Sequence, residues 1–264
     1  MNFLFDYSFQ AEGLVDIGIK RTSNQDEVII IPEFGFFAVS DGMGGLVNGK
    51  ETAAMIAQMM PEMIENASAE LKSDVTPEYA AQILCELVCM ISDNIFDTAN
   101  KGGQYHFGAT LSGVWLVGTH AVFVNLGDSR GYYLKKRKRA IRQITKDHSN
   151  AAIMVEQGEL TALQAKRHPA SSQLNRFVGM SRPALPETFI EKILPGDCLL
   201  LCSDGLHGMV EEHELRKIMI DAKSGLMVCQ RMVDKANQNG GDDNISVVYI
   251  KIGRKNLRRT CRGA

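Results

Sequence analysis

Residues 27–42 read Glu27-Val28-Ile29-Ile30-Ile31-Pro32-Glu33-Phe34-Gly35-Phe36-Phe37-Ala38-Val39-Ser40-Asp41-Gly42. Two runs of β-branched and aromatic residues flank a turn from Pro32 to Gly35, the pattern of two strands joined by a short loop. Parallel neighbours need a crossover of a dozen or more residues, so a link this short makes the pair antiparallel. The arrangement recurs at residues 109–117 with 121–126, and at 131–134 with 140–145 across a basic loop. Further apolar runs at 198–203 and 245–252 read as strands as well.

Between these groups the apolar period lengthens from two residues to that of a helix. Residues 51–72 place Ile56, Met59, Met60, Met63 and Ile64 on one face, with an interruption or kink expected at Pro61. A second helix opens with Thr76 as N-cap and Pro77 in its first turn, and sets Leu84, Leu87, Val88, Ile91 and Ile95 on one face. These two form an antiparallel pair, and residues 215–220 with 226–236 form another. No Pro-, Gly- or Ser-rich linker and no repeat divides the chain. The order predicts one α+β domain over 1–253, of antiparallel sheets covered by helices, followed by a loose basic tail at 254–264.

The chain has 264 residues, 45% hydrophobic and 23% charged, enough for a core without disulfide or metal staples. That composition excludes disordered, fibrous and membrane-embedded classes. The net charge of −2 hides an uneven distribution. Residues 135–142 hold six basic side chains and 251–264 six more, neither with an acid, leaving 17 basic against 31 acidic residues elsewhere. The acidic bulk favours cations over nucleic acid as partners. No apolar run of membrane-spanning length and no basic-then-apolar N-terminus is present, so a cytoplasmic chain without a membrane span is expected. None of the six cysteines (Cys85, Cys89, Cys198, Cys202, Cys229, Cys261) forms a C-x-x-C pair, and buried reduced thiols are predicted.

The strands repeatedly end in an aspartate beside glycine. One ends in Asp41-Gly42, another in Gly127-Asp128, a third in Asp204-Gly205; Gly241-Asp242-Asp243 opens the last, and Asp26 opens an early one. Taken singly, each is an ordinary turn. If the strands share one sheet edge, four or five carboxylates meet there, and like charges at that spacing raise one another's pKa. Hard divalent cations such as Mg²⁺ and Mn²⁺ relieve this, because they take carboxylate, carbonyl and water oxygens. Gly127-Asp128-Ser129-Arg130-Gly131 matches a nucleophile elbow in letters only, since Tyr132-Tyr133-Leu134 continues as strand instead of helix. No phosphate-binding glycine loop of the nucleotide-binding types is found.

Seven blocks in order complete the picture: Arg21-Thr22-Ser23-Asn24-Gln25-Asp26, Asp41-Gly42-Met43-Gly44-Gly45, Gly108-Ala109-Thr110-Leu111, Asn125-Leu126-Gly127-Asp128-Ser129-Arg130, Thr145-Lys146-Asp147-His148-Ser149, Ser203-Asp204-Gly205 and Gly241-Asp242-Asp243-Asn244. Spread over about residues 12–252, this set resembles the bacterial metal-dependent Ser/Thr protein phosphatases (PPM, type 2C). The resemblance implies a four-layer αββα sandwich, two antiparallel sheets flanked by helical pairs. It implies two tightly bound Mn²⁺ or Mg²⁺ ions that share a water and aim it at phosphorus, and a weaker third ion. By the same resemblance Asp41 bridges the two ions, Asp204 and Asp243 complete the first, and the Gly42 carbonyl joins the second. Asp26 acts through water, Asp128 with Asp204 holds the third ion, and Arg21 clamps the substrate phosphate. The implied partners are phosphorylated proteins, the products of a Ser/Thr kinase.

The chain departs from the family at Gln25, where many relatives carry a second carboxylate, and at Met43, where eukaryotic members carry a histidine that serves as acid. His207 reads as a partly buried structural histidine. Residues 150–180, which include His168, correspond to the family's variable flap beside the site. Two other readings stand beside a broad phosphatase: one dedicated to a single regulatory phosphoprotein, such as an anti-sigma-factor antagonist, and a metal-binding pseudophosphatase used as an interaction module. The second should lack a core ligand, whereas Asp41, Asp204 and Asp243 are all kept. A nucleotidyl-transferring enzyme suggested by Gly-Asp-Asp lacks nucleotide-binding elements. The basic hairpin at 135–142 could steer acidic phosphoproteins or dock a partner, and the basic tail could touch anionic lipid or nucleic acid.

Overall fold

A computed structural model describes residues 5–43, 48–71, 75–100, 106–166 and 168–254. Gly44, Gly45, Lys72, Cys261 and tail residues 255–264 lie outside this set.

The strands form two five-stranded sheets in which every paired neighbour is antiparallel. The first runs β2 (Asp26–Ile31), β3 (Phe36–Asp41), β4 (Leu111–Val117), β5 (His120–Leu126) and β8 (Glu187–Lys192). The second runs β1 (Ser8–Asp16), β10 (Ile245–Gly253), β9 (Cys198–Cys202), β6 (Arg130–Lys135) and β7 (Ala140–Gln143). Side chains alternate across each strand, so a strand buried on both faces feeds two cores. Phe36 and Ala38 of β3 face the helices α1 (Gly49–Glu70) and α2 (Pro77–Ile95), while Phe37 and Val39 face the other sheet. In β9, Leu199 and Leu201 turn to that shared middle core and Leu200 and Cys202 to α6 (Glu212–Asp221) and α7 (Gly225–Gln238). Helices, sheet, sheet and helices thus make four layers around three apolar cores, and the expected sandwich is borne out.

Thr76 caps α2 as expected, its hydroxyl accepting from the Tyr79 N–H at 3.2 Å, with Pro77 behind it. Pro61 does not interrupt α1, which runs 22 residues through it. Ile56, Met60 and Ile64 on either side are fully buried, and that packing offsets the one lost backbone bond. From Pro77 to Ala99 the α2 segment is long and apolar enough to cross a membrane by length and composition alone. Leu84, Val88, Ile91 and Ile95 nevertheless bury one face against β5 and β8.

Two strands escape the sequence reading, β1 and β8. Both are edges of their sheets, and edge strands carry polar residues such as Gln10, Glu12, Glu187 and Glu191 that break an apolar run. The flap stretch at 150–180 holds α3 (Asn150–Glu156), α4 (Ala162–Ala165) and a 3-10 turn at Pro169–Ser172. The single-edge condition for the aspartates is also corrected. Asp26 and Asp41 belong to strands of the first sheet, Asp128 lies in the turn that leads from β5 of the first sheet to β6 of the second, and Asp204 and Asp243 follow or precede strands of the second. They come together at one end of the whole sandwich.

That end is closed by backbone. Gly205 sits in α5 (Asp204–His207) with the Asn244 carbonyl so close that an added Cβ would lie 2.0 Å from it. Gly205→Ala should therefore lower stability by about 1–3 kcal/mol or more, read from the urea midpoint, through displacement of backbone that no rotamer can relieve.

Candidate metal centre

Asp26 and Asp41 are cross-strand partners in the β2–β3 ladder. Residues directly opposite in such a ladder hold their Cβ atoms about 4.5–5.5 Å apart on the same face. Asp41 is further fixed by Thr110, whose hydroxyl accepts the Asp41 N–H at 3.0 Å and whose own N–H donates to the Asp41 carbonyl at 2.8 Å. The Thr110 hydroxyl also meets Ser129 Oγ at 2.7 Å, which ties the end of β3 to the loop carrying Asp128. Gly42 donates to the Gln25 carbonyl at 3.0 Å. A Cβ there would meet the Gly49 carbonyl oxygen at 2.4 Å, so backbone closes on Gly42 from both sides.

Asp128 lies in the turn after β5, where Gly127 adopts φ +118. His148 holds that turn: its backbone N–H donates to the Gly127 carbonyl at 2.9 Å, and its Nδ1 accepts the Gly127 N–H at 3.2 Å. His207 Nε2 donates to the Asp128 carbonyl at 3.0 Å. Burial, with Arg130 adding to it, pushes the His207 imidazole down to about 3, so it is neutral at physiological pH and acts as a strut, as expected from sequence. His168 is a local cap on the flap, its Nδ1 accepting the Ala170 N–H at 3.1 Å.

On the second sheet, Asn244 organises the loops. Its Oδ1 accepts the Gln25 N–H at 2.9 Å, and its Nδ2 donates to the carbonyls of Ile17 and Ser23 at 2.9 and 3.0 Å. Asn244 closes the Gly241-Asp242-Asp243-Asn244 block, yet nothing in its spacing points to this role. Asp243 accepts the Asn244 N–H at 2.8 Å through Oδ1 and pairs with the Arg21 guanidinium at 2.7 Å through Oδ2. Arg21 is thus placed at the site, but against a carboxylate. Next to it Lys20 pairs with Asp242 at 2.7 Å.

The five aspartates form one electrostatic unit. Burial raises the Asp41 carboxyl well above its ordinary value, and Asp26, Asp204, Asp128 and Asp243 each push it further. Asp204 is raised by burial and then by Asp243; Asp128 by burial, then by Asp204 and Asp147. Asp26, 1% exposed, is lifted by burial to about 7, with the Ser203 and Ser246 hydroxyls offsetting part of the rise. Both Asp26 carboxyl oxygens and Asp204 Oδ1 are buried without a hydrogen-bond donor in bonding geometry. Orphaned carboxylate oxygens at one point suit hard cations, which need oxygen donors. Among the described residues no three His, Cys, Asp or Glu side chains are gathered as a complete ligand set. Ions here would therefore complete their coordination with water and backbone oxygen, as Mg²⁺ characteristically does.

Asp128, Asp204 and Asp243 line a cleft of about 420 Å³ whose far wall is the 150–180 segment, through Leu163, Lys166, Ser171 and Ser172. Lys166 straps that segment to Glu211 at 2.9 Å. The model of the protein phosphatase 2C family matches residues 19–238. The chain belongs to that family. It is accordingly a metal-dependent phosphoprotein phosphatase. It is 30% identical to the serine/threonine phosphatase stp of Listeria monocytogenes over 216 residues, 81% of this chain and 82% of that one. Among solved structures it resembles the PPM Ser-Thr phosphatase MsPP from Mycobacterium smegmatis, with 28% identity, a TM-score of 0.78 and coverage of 92% and 98%. It also resembles the catalytic domain of the phosphatase PstP, solved in complex with two manganese ions, at 22% identity and a TM-score of 0.74 over 93% and 98%. That last likeness concerns the fold.

The charge cluster makes an expected outcome of opposite sign for stability and for metal response. Asp41→Asn removes one member of a mutually raised set, so chelator-treated protein should melt higher, by roughly 2–4 °C for each kcal/mol relieved. Saturating Mn²⁺ should raise the parent's melting temperature, a gain worth about 2.7 kcal/mol at a hundredfold excess over Kd. The variant should lose most of that gain. Calorimetry with and without Mn²⁺ checks both.

Proposed function

We propose that the chain hydrolyses phosphoserine and phosphothreonine in proteins at a two-ion centre. The observation that carries the reading is the meeting of five aspartates at one end of the two sheets, with orphaned carboxylate oxygens; three of them line a cleft, and the exposed Arg21 pairs with one of these, Asp243. Asp41, Asp204 and Asp243 would hold one ion, Asp41 and the Gly42 carbonyl a second, Asp26 would act through water, and Asp128 with Asp204 would take a weaker third. Bound Mn²⁺ or Mg²⁺ supplies Lewis acidity and a lowered pKa for coordinated water. The chain's own part is to fix the carboxylates by the β2–β3 register and the Thr110 and Asn244 hydrogen bonds, and to bind phosphate. Arg21 has a planar fork of donors suited to two phosphate oxygens and would exchange Asp243 for them. Residues 1–253 form the phosphatase domain in this reading, with the flap at 150–180 walling the cleft. Its substrates are the products of a serine/threonine kinase, met in the cytoplasm.

Turnover of a phosphothreonine peptide should require Mn²⁺ or Mg²⁺ and stop with chelator; activity that survives chelation overturns the reading. Asp243→Asn should cripple turnover. Arg21→Ala should raise KM roughly tenfold or more, the scale of a lost charged hydrogen bond, with a smaller loss in kcat. An unchanged KM would remove Arg21 from phosphate binding. Asp128→Ala should lose turnover while calorimetric titration still counts two tight Mn²⁺ ions.

A further inference from the structure

The basic hairpin and the start of the basic tail stand at the end of the second sheet opposite the aspartates. Leu134, Cys198 and Lys251 are register partners across β6, β9 and β10. They form the last row of the face that α6 and α7 cover nearer the site. Beyond the end of α6 no described residue covers that face, and a pocket of about 310 Å³ remains. Its floor is Met219, Ile220 and Tyr249, and its rim is Lys136, Arg139 and Lys251; among the described lining residues none is acidic.

The pocket is built into the fold. Buried Asp197 accepts the Lys136 N–H at 3.0 Å and the Tyr133 hydroxyl at 2.5 Å, which anchors the base of the hairpin. Gly196, at φ +97, leaves room for the Lys136 stem: an added Cβ would lie 2.9 Å from its Cδ. At the tip, Arg139 adopts φ 48 and its carbonyl accepts from the Arg216 guanidinium of α6 at 3.0 Å. Arg142 further along the hairpin is neutralised by Glu191 at 2.7 Å, whereas Lys136, Arg139 and Lys251 have no ion-pair partner among the described residues. Three unpaired cations around an apolar floor ask for anionic groups flanking an apolar one.

We infer that this pocket docks a short acidic segment bearing a bulky apolar side chain, supplied by a phosphoprotein partner. A lipid surface fits less well, because peripheral anchoring needs apolar side chains that protrude. The tip, Lys135-Lys136-Arg137-Lys138-Arg139, has none, and the apolar atoms lie at the bottom of a concavity. Nucleic acid would want exposed aromatic faces for stacking, but Tyr249 is 3% exposed and its hydroxyl is engaged with Cys198 Sγ at 3.0 Å. The segment would bind apart from the phosphosite. The four residue steps of β9 from Cys198 to Cys202 span about 13 Å, with Asp204 beyond.

The test pairs binding with turnover, and rests on the phosphatase reading only for the second. A fluorescein-labelled peptide, Asp-Glu-Asp-Leu-Phe-Asp-Glu, is titrated by anisotropy into the parent and into Lys136→Ser/Arg139→Ser/Lys251→Ser. These three exposed side chains lie outside the catalytic machinery, so aryl-phosphate turnover should stay unchanged. A phosphothreonine peptide is then compared with the same peptide joined to the acidic segment by about 16 Gly/Ser residues, whose mean span is roughly 22 Å. The parent should bind the probe and show at least a tenfold gain in kcat/KM for the joined peptide. The variant should lose binding and return to within twofold of the unjoined value. No binding by the parent overturns the inference. So does an equal gain when Leu and Phe of the segment are replaced by Ser, which leaves only charge steering, and so does flotation with phosphatidylglycerol vesicles without any peptide effect, which assigns the face to lipid. Probe binding that is lost in the variant, with no phosphopeptide turnover at all, would sink the proposed function and leave the docking site standing.

Discussion

Asp26, Asp41, Asp128 and Asp204 are drawn out of water into one another's field, and burial raises every one of them before repulsion adds to it. A carboxylate removed from water without a counter-charge is expensive for any fold. The surrounding structure must therefore over-determine their positions, and it does so with backbone. Asp41 faces Asp26 because the β2–β3 register puts it there. Thr110 grips both the N–H and the carbonyl of Asp41, and Asn244 stitches three points of the β1–β2 loop, Ile17, Ser23 and Gln25, to the start of β10. The stability that offsets the cluster comes from the three apolar layers, whose largest side chains, such as Trp115, Phe36 and Phe123, are fully buried.

Both sheets contribute to the cluster. Asp26 and Asp41 lie on the first, Asp204 and Asp243 flank strands of the second, and Asp128 sits in the β5–β6 connection between them, so neither sheet alone holds the cluster. Joining them requires the middle core, in which Phe37 and Val39 meet Leu199, Leu201, Val248 and Ile250. Formation of the site is for that reason tied to closure of the inter-sheet layer. Loosening there would separate the aspartates, so the Mn²⁺ response expected of the cluster would report on core packing as well.

The central strands are legible in the sequence because burial on both faces makes them nearly continuous apolar runs. The edges β1 and β8 are not, since Glu12, Glu187 and Glu191 interrupt the pattern that a periodicity reading needs. The five aspartates are individually visible as strand ends. Their grouping across two sheets is invisible to local pattern, because it depends on which strands pair over more than a hundred residues. Thr110 and Asn244 fall in quoted blocks, yet a side chain whose work is to bond distant backbone leaves no periodic trace. The interruption offered at Pro61 fails for the opposite reason: the local rule is strong, and tertiary burial of its neighbours carries α1 through it.

Arg130 lines the cleft and Arg21 pairs with Asp243, which lines it, and their surroundings divide their roles. Arg130 is locked to Asp147 through Nε at 2.8 Å and a second nitrogen at 2.6 Å, with side chains 15% and 19% exposed. Burial alone would raise the Asp147 carboxyl, but the Arg130 guanidinium beside it wins and holds it below its ordinary value. Removing Arg130 from that pair would leave a buried, uncompensated carboxylate. Arg21 makes one contact to Asp243, with side chains 43% and 34% exposed. Pairs this open to solvent are worth about 0–1 kcal/mol. Arg21 can therefore release Asp243 at little cost and turn its fork to a phosphate dianion, whereas Arg130 cannot leave Asp147 so cheaply. It is this difference in burial that gives the phosphate to Arg21 in the proposed function and leaves Arg130 as part of the wall.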